Sequence, residues 1–107
     1  MTFKSLEGIG EKEIIPGYKV KFIHSQSMTF AYWDIEKDAP LPEHSHPNEQ
    51  VANILEGKFQ LTIGDQTKVL GKGEVAIIYS NVKHSGKAIT KCKILDVFHP
   101  VREDYKK

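Results

Sequence analysis

Two histidines one residue apart, His44 and His46, head the run His44-Ser45-His46-Pro47-Asn48-Glu49-Gln50, and a third, His84, follows far downstream. In an extended strand side chains alternate between faces, which puts His44, His46 and Gln50 on one side and Ser45 and Glu49 on the other. Imidazole is the usual borderline-soft ligand of a divalent transition metal. A third histidine from a distant strand would complete three nitrogens and one amide oxygen, with room left for water or substrate. His-x-His alone is a weak signal, because histidines on a surface strand are often merely solvated. The apolar run Val51-Ala52-Asn53-Ile54-Leu55 and the turn at Glu56-Gly57 strengthen it, since that is how a ligand strand inside a β-barrel reads.

A second candidate lies near the end of the chain. In Lys91-Cys92-Lys93-Ile94-Leu95-Asp96-Val97-Phe98 the even positions share one face, so if the lysines point outward, Asp96 points inward with Cys92, Ile94 and Phe98. A carboxylate in a barrel interior is costly unless paired, hydrogen-bonded or protonated. One reading is a hydrogen bond to a nearby turn or an ion pair with Arg102. The other is a general acid or base tuned by its surroundings. Arg102 carries the forked guanidinium suited to clamping a substrate carboxylate. Cys92 lies among apolar neighbours and reads as a small hydrophobe rather than a nucleophile.

The elements that must position these residues are strands. Tyr18, Val20 and Phe22 alternate with Lys19 and Lys21. The stretch from Met28 to Ile35 is aromatic-rich and reads as a strand buried on both faces. Phe59, Leu61 and Ile63 alternate with polar residues, Gly64-Asp65 closes a hairpin, and Gly71-Lys72-Gly73 turns the chain toward Val75–Tyr79 and His84. Turns every eight to twelve residues without helical periodicity are the pattern of an all-β sandwich or barrel. Residues 1–16, with Gly8, Gly10 and Pro16, read as an arm or short edge strand, followed by a barrel over 17–107.

With 107 residues the chain builds one domain. Fifteen basic against fourteen acidic residues and no basic stripe argue against nucleic acid or an anionic membrane as partner. One cysteine, no leader and no apolar run near twenty residues predict a soluble, cytoplasmic protein. Ile14, Ile15 and strand faces beyond what one small barrel buries predict a homodimer.

The run His44–Gln50 with Leu55-Glu56-Gly57-Lys58 behind it resembles the first motif of the cupins, and Gly71-Lys72-Gly73-Glu74 through Asn81-Val82-Lys83-His84 resembles the second. The resemblance implies a single-domain double-stranded β-helix, the jelly-roll barrel. His44, His46 and His84 match the family's metal histidines, and the fourth ligand falls by position on Gln50 rather than Glu49. Asn48 stands where relatives often carry another histidine. The tail from Asp96 to Asp104 is similar to that of the pectin-degradation cupins of the KdgF type, which linearise 4,5-unsaturated uronate monosaccharides, the products of pectin and alginate lyases, to 5-keto-4-deoxyuronate. On that likeness the small-molecule partner is a sugar acid. The cofactor is a divalent transition metal (nickel, zinc, manganese, iron or copper) that polarises the sugar's oxygens. Asp96 moves the proton, and Arg102 binds the uronate carboxylate or holds Asp96 ionised. Two other functions fit the same motifs: a metal-dependent dioxygenase, which needs iron or copper, and a sugar-binding or sensory module without catalysis.

Overall fold

Alternation of apolar and polar side chains builds the molecule from antiparallel strands. The structure, a computed structural model, describes residues 2–107. Its strands are β1 (Lys12–Ile15), β2 (Tyr18–His24), β3 (Thr29–Ile35), β4 (Pro40–His44), β5 (Glu49–Glu56), β6 (Phe59–Ile63), β7 (Gln66–Leu70), β8 (Val75–Ile78), β9 (His84–Ala88) and β10 (Cys92–His99). Six of them form one sheet in the order β1-β2-β3-β10-β5-β8, and four form a second in the order β4-β9-β6-β7. This is an all-β jelly-roll barrel, and its core lies between the sheets, where Val20, Ile35, Ile54, Phe59, Leu61 and Ile94 are all buried. Burying side chains of this size contributes roughly 1.5–3 kcal/mol each before the entropy of ordering them is counted.

Parity reads correctly in β10, where Cys92, Ile94, Asp96 and Phe98 are buried and Lys93 is exposed. In β3 only the inner face, Thr29, Ala31, Trp33 and Ile35, is buried. Phe30, Tyr32 and Asp34 on the outer face stay half-covered, because no second layer packs over them.

The run from His44 to Gln50 is not one strand. β4 ends at His44, residues 45–48 bend, and β5 starts at Glu49 in the other sheet. Pro47 has no N–H to give a ladder and sits at the bend, so the chain turns a corner between sheets there. The residues before Tyr18 add β1 to the edge of the larger sheet, with Lys12 opposite Val20 and Ile15 opposite Tyr18. Ile14 and Ile15 border the barrel's central cavity.

Two local devices hold the ends in place. Gly57 turns β5 into β6 at φ +85°, where a Cβ would run into the Lys91 carbonyl and approach Cys92 Sγ at 3.0 Å. Only glycine allows that approach. The segment after β10 is tied back by Asn48 Nδ2, which donates to Pro100 O at 2.7 Å, and by the Arg102 N–H, which donates to Thr29 Oγ1 at 2.9 Å. The short 3-10 turn Glu103–Lys106 then lays Tyr105 on Phe22, ring centroids 4.6 Å apart. Among the described residues no helix is long and apolar enough to cross a membrane.

Candidate metal centre

β4 and β9 pair antiparallel with His44 directly opposite His84, so two imidazoles from distant parts of the chain share one rung, ring centroids 4.2 Å apart. His46, on the corner just past β4, brings its ring to 5.8 Å from that of His44 and 5.0 Å from that of His84. One ring nitrogen of each lies within 4.8 Å of the other two. Gln50, at the start of β5, is buried and places Oε1 3.0 Å from His46 Nε2, while neighbouring Glu49 is exposed.

The hydrogen bonds of the three rings identify their tautomers. His44 Nδ1 lies 2.8 Å from Pro42 O, His46 Nδ1 2.9 Å from Asn48 O, and His84 Nδ1 2.9 Å from Val82 O. A carbonyl oxygen only accepts, so each Nδ1 carries the proton and each Nε2 presents a lone pair. His46 Nε2 and Gln50 Oε1 are then two acceptors facing each other at 3.0 Å. His84 Nε2 is buried without any partner. Such an arrangement is unfavourable unless a cation sits among the lone pairs. The donor set therefore fits a divalent transition metal, with backbone carbonyls orienting the ligands as outer-shell partners do.

Protonation favours the same reading. Burial lowers the pKa of His46, with the Arg102 charge acting in the same direction. For His84 burial, reinforced by His44, His46 and Arg102, brings the pKa down to about 4. The rings of His46 and His84 are thus neutral at neutral pH, the form that binds metal. The loop before His84 is anchored to the site itself, because the Asn81 N–H donates to His46 O at 2.8 Å.

Beside the histidines lies a cavity of about 280 Å³ whose walls come from both sheets, with Ile54, Phe59, Leu61 and Ile94 among them. Asp96 enters it from the inner face of β10, and its Oδ1 has no hydrogen-bond partner. Burial pushes this carboxyl up to about 7. The nearby Gln50 amide, Trp33 indole and Arg102 offset burial only in part, and the indole N–H completes no hydrogen bond to it.

Arg102 is also on the cavity wall, but the ion pair with Asp96 does not form. Its Nη2 donates to Asp104 Oδ2 at 2.7 Å and its Nε to Asp104 Oδ1 at 3.0 Å. The guanidinium is stacked between aromatic rings, 4.1 Å from the Tyr105 centroid and 4.9 Å from that of Phe98. Asp104 is the nearer partner because the turn at Glu103–Lys106 brings it back over Arg102, and at the surface a charge pair needs less desolvation than it would beside Asp96. His99 is exposed, and His24 bonds Thr29 Oγ1 at 2.9 Å; neither lines the cavity.

Sequence reasoning missed Tyr18, Trp33 and Tyr105, which line the cavity too. The inward parity of Trp33 with Ala31 and Ile35 was a usable signal for one of them. Nothing in the sequence indicated that the tail would fold Tyr105 back across the mouth.

Residues 31–98 match the Cupin domain family. The chain belongs to the cupins. Its fold superimposes on that of an RmlC-like cupin from Shewanella frigidimarina with a TM-score of 0.92 at 25% identity, covering 98% of this chain and 96% of that one. KdgF from Halomonas sp. gives a TM-score of 0.91 at 18% identity and 98% coverage of both chains. A Bacillus subtilis oxalate decarboxylase variant gives 0.82 at 18% identity, covering 91% of this cupin and 29% of that chain. No curated protein sequence matches the chain.

The raised pKa of Asp96 has a stability signature. The fold prefers the neutral acid, so this cupin's stability from Asp96 is complete below the unfolded carboxyl's value near 4 and is lost as pH rises to about 7. The loss amounts to at most roughly a tenfold fall in the folding equilibrium constant per pH unit. With chelator present, Asp96→Asn is expected to match the parent in urea midpoint near pH 4 and exceed it at pH 8; equal midpoints at both would contradict the buried, unpaired carboxyl.

Proposed function

We propose that this cupin is a metal-dependent enzyme that opens the ring of a small sugar acid, converting 4,5-unsaturated uronate monosaccharides to linear 5-keto-4-deoxyuronate. The observation that carries the reading is a buried carboxyl without an ion-pair partner, Asp96, lining the same cavity as His44, His84 and Gln50, with His46 converging on the two histidines beside it. Likeness of the Asp96–Asp104 tail to the pectin-degradation cupins and the end-to-end fold match to KdgF support the choice of substrate class.

The reaction is an isomerisation of a cyclic enol ether that is also a hemiacetal. Asp96 takes the proton of the anomeric hydroxyl as the bond between C1 and the ring oxygen breaks, leaving an aldehyde at C1 and enolate charge on the former ring oxygen. The carboxyl then returns a proton to C4, which converts the enol to the 5-ketone, so no atom or electron is gained or lost. A divalent ion held by His44, His46, His84 and Gln50 would supply Lewis acidity for the developing oxygen charge. A carboxyl pushed up to about 7 by burial is suited to both taking and giving a proton near neutral pH. Arg102 keeps its Nε and Nη2 on Asp104, leaving Nη1 outside that pair for the uronate carboxylate. The apolar walls suit the C4–C5 edge of the sugar, which lacks a hydroxyl.

The test follows loss of the conjugated enol absorbance of unsaturated galacturonate under purified protein. Metal-dependent acceleration is expected, retained anaerobically with redox-inert zinc, which a dioxygenase would not show. Asp96→Asn should lower turnover by about 10²-fold or more while metal content and folding survive. Full turnover in that variant, or none in the parent, would remove the reading and favour a binding module.

The outer face of the larger sheet supports a homodimer. Across its strands Ile23, Phe30, Val97, Val51 and Ile77 follow one another as registered partners in one apolar row. On the edge strand β8, Val75 and Ile77 are 52% and 50% exposed. Packing this face on its copy across a two-fold axis would cover the row. Light scattering is expected to give twice the chain mass, and Ile77→Lys to give the monomer with its fold intact; a monomeric parent would end the idea.

A further inference from the structure

Among the described residues, three buried side-chain polar atoms lack any hydrogen-bond partner: His84 Nε2, Asp96 Oδ1 and Trp33 Nε1. All three residues line the same cavity. The first is accounted for by metal ligation and the second by proton transfer. The indole N–H is left over, and it is a donor with no other capacity, so burying it unpaired costs stability.

Its position is held firmly. Trp33 pairs with Ile94 across β3 and β10 while Ala31 pairs with Asp96, so Trp33 and Asp96 are diagonal neighbours on the inner face of the sheet. The indole is wedged edge-on to Tyr18 at 6.0 Å and Phe22 at 6.3 Å between ring centroids. Tyr18 spends its own hydroxyl proton on Ala39 O at 3.0 Å, so it does not compete as a donor in the cavity. A held indole N–H beside the unpartnered Oδ1 of Asp96 makes a receptor for one kind of group. That group must accept from N–H and give a proton to the carboxylate. A hydroxyl does both, whereas an ether oxygen does only the first and a methylene neither.

We propose that the Trp33 indole N–H is a substrate-binding donor that hydrogen-bonds the hydroxyl oxygen whose proton Asp96 takes, and so selects substrates with a free hydroxyl at that position. The identity of that oxygen rests on the uronate reading, where it is the anomeric hydroxyl. When its O–H bond breaks, the proton passes to Asp96, the ring C–O bond opens, and the oxygen becomes a carbonyl that still accepts from Trp33. A glycoside, with that hydroxyl replaced by an ether, loses the bond to Asp96 and the site's preference for it.

Trp33 is the only tryptophan in the chain, so its indole gives a single N–H resonance. The zinc-loaded, ¹⁵N-labelled protein is titrated with three probes: D-galacturonate, its methyl glycoside, and dihydroxyacetone, a hydroxyketone with neither ring nor carboxylate. The expected result is a downfield shift of the indole N–H on saturation with galacturonate and little with the glycoside. Trp33→Phe, which keeps an aromatic ring but removes the pyrrole ring with its N–H, should bind galacturonate about tenfold more weakly and lower kcat/KM on unsaturated galacturonate about as much. A shift with dihydroxyacetone alone, together with no turnover of unsaturated galacturonate, sinks the uronate reading and leaves the donor standing. Turnover by the parent with an unmoved indole and an unaffected Trp33→Phe overturns the donor and spares the uronate reading. Silence of the indole toward all probes also overturns it.

Discussion

One rung of an antiparallel ladder, His44 on β4 facing His84 on β9, is the contact on which the site depends. It joins the two parts of the chain that carry the candidate ligands, and everything else adjusts to it. The corner after β4 swings His46 back toward the rung and delivers Gln50 into the opposite sheet, so the four donors are drawn from both layers of the barrel. Three backbone carbonyls then hold the Nδ1 protons. Because a carbonyl cannot donate, the lone pairs that remain all belong to Nε2, and the site is set for a cation before any arrives.

The same corner explains which features of the site were legible in the sequence. Period two correctly placed Asp96 inside β10, because Lys91 and Lys93 mark the outer face and the strand runs unbroken from Cys92 to His99 between two others in the sheet. Period two also put His44, His46 and Gln50 together, though for the wrong reason. Residues 45–48 belong to neither strand, and the bend at Pro47 and Asn48 carries the chain from the strand of His44 to that of Gln50. The strand order, with β10 inserted between β3 and β5, depends on long-range pairing that no local pattern encodes. For Arg102 the sequence pointed to Asp96 or a substrate carboxylate as partner and passed over Asp104. The 3-10 turn decided for Asp104, two residues away. Tyr105 closes over Phe22 and Arg102 through that turn, which six residues of mixed charge did not announce.

The cavity stores unfavourable terms in one place. A carboxyl pushed up by burial, an imidazole nitrogen without a partner and an indole N–H without an acceptor all weaken the empty fold. The rest of the barrel is arranged conventionally, with apolar side chains between the sheets and charges outside. Concentrating unsatisfied groups around one cavity is what a site needs if ligand and substrate are to satisfy them. The pairing of Arg102 with Asp104 rather than with Asp96 belongs to the same arrangement, since it leaves the inner carboxyl without an ion-pair partner.

The central claim, that His44, His46 and His84 offer Nε2 lone pairs to a metal together with Gln50, is tested most directly by X-ray absorption on zinc-loaded protein combined with metal titration. The account predicts one ion per chain, bound through three nitrogens and at least one oxygen at about 2.0–2.2 Å, and a loss of affinity of about 10²-fold in His84→Ala. Binding at no defined stoichiometry, a first shell without three nitrogens, or undiminished affinity in the variant would contradict it.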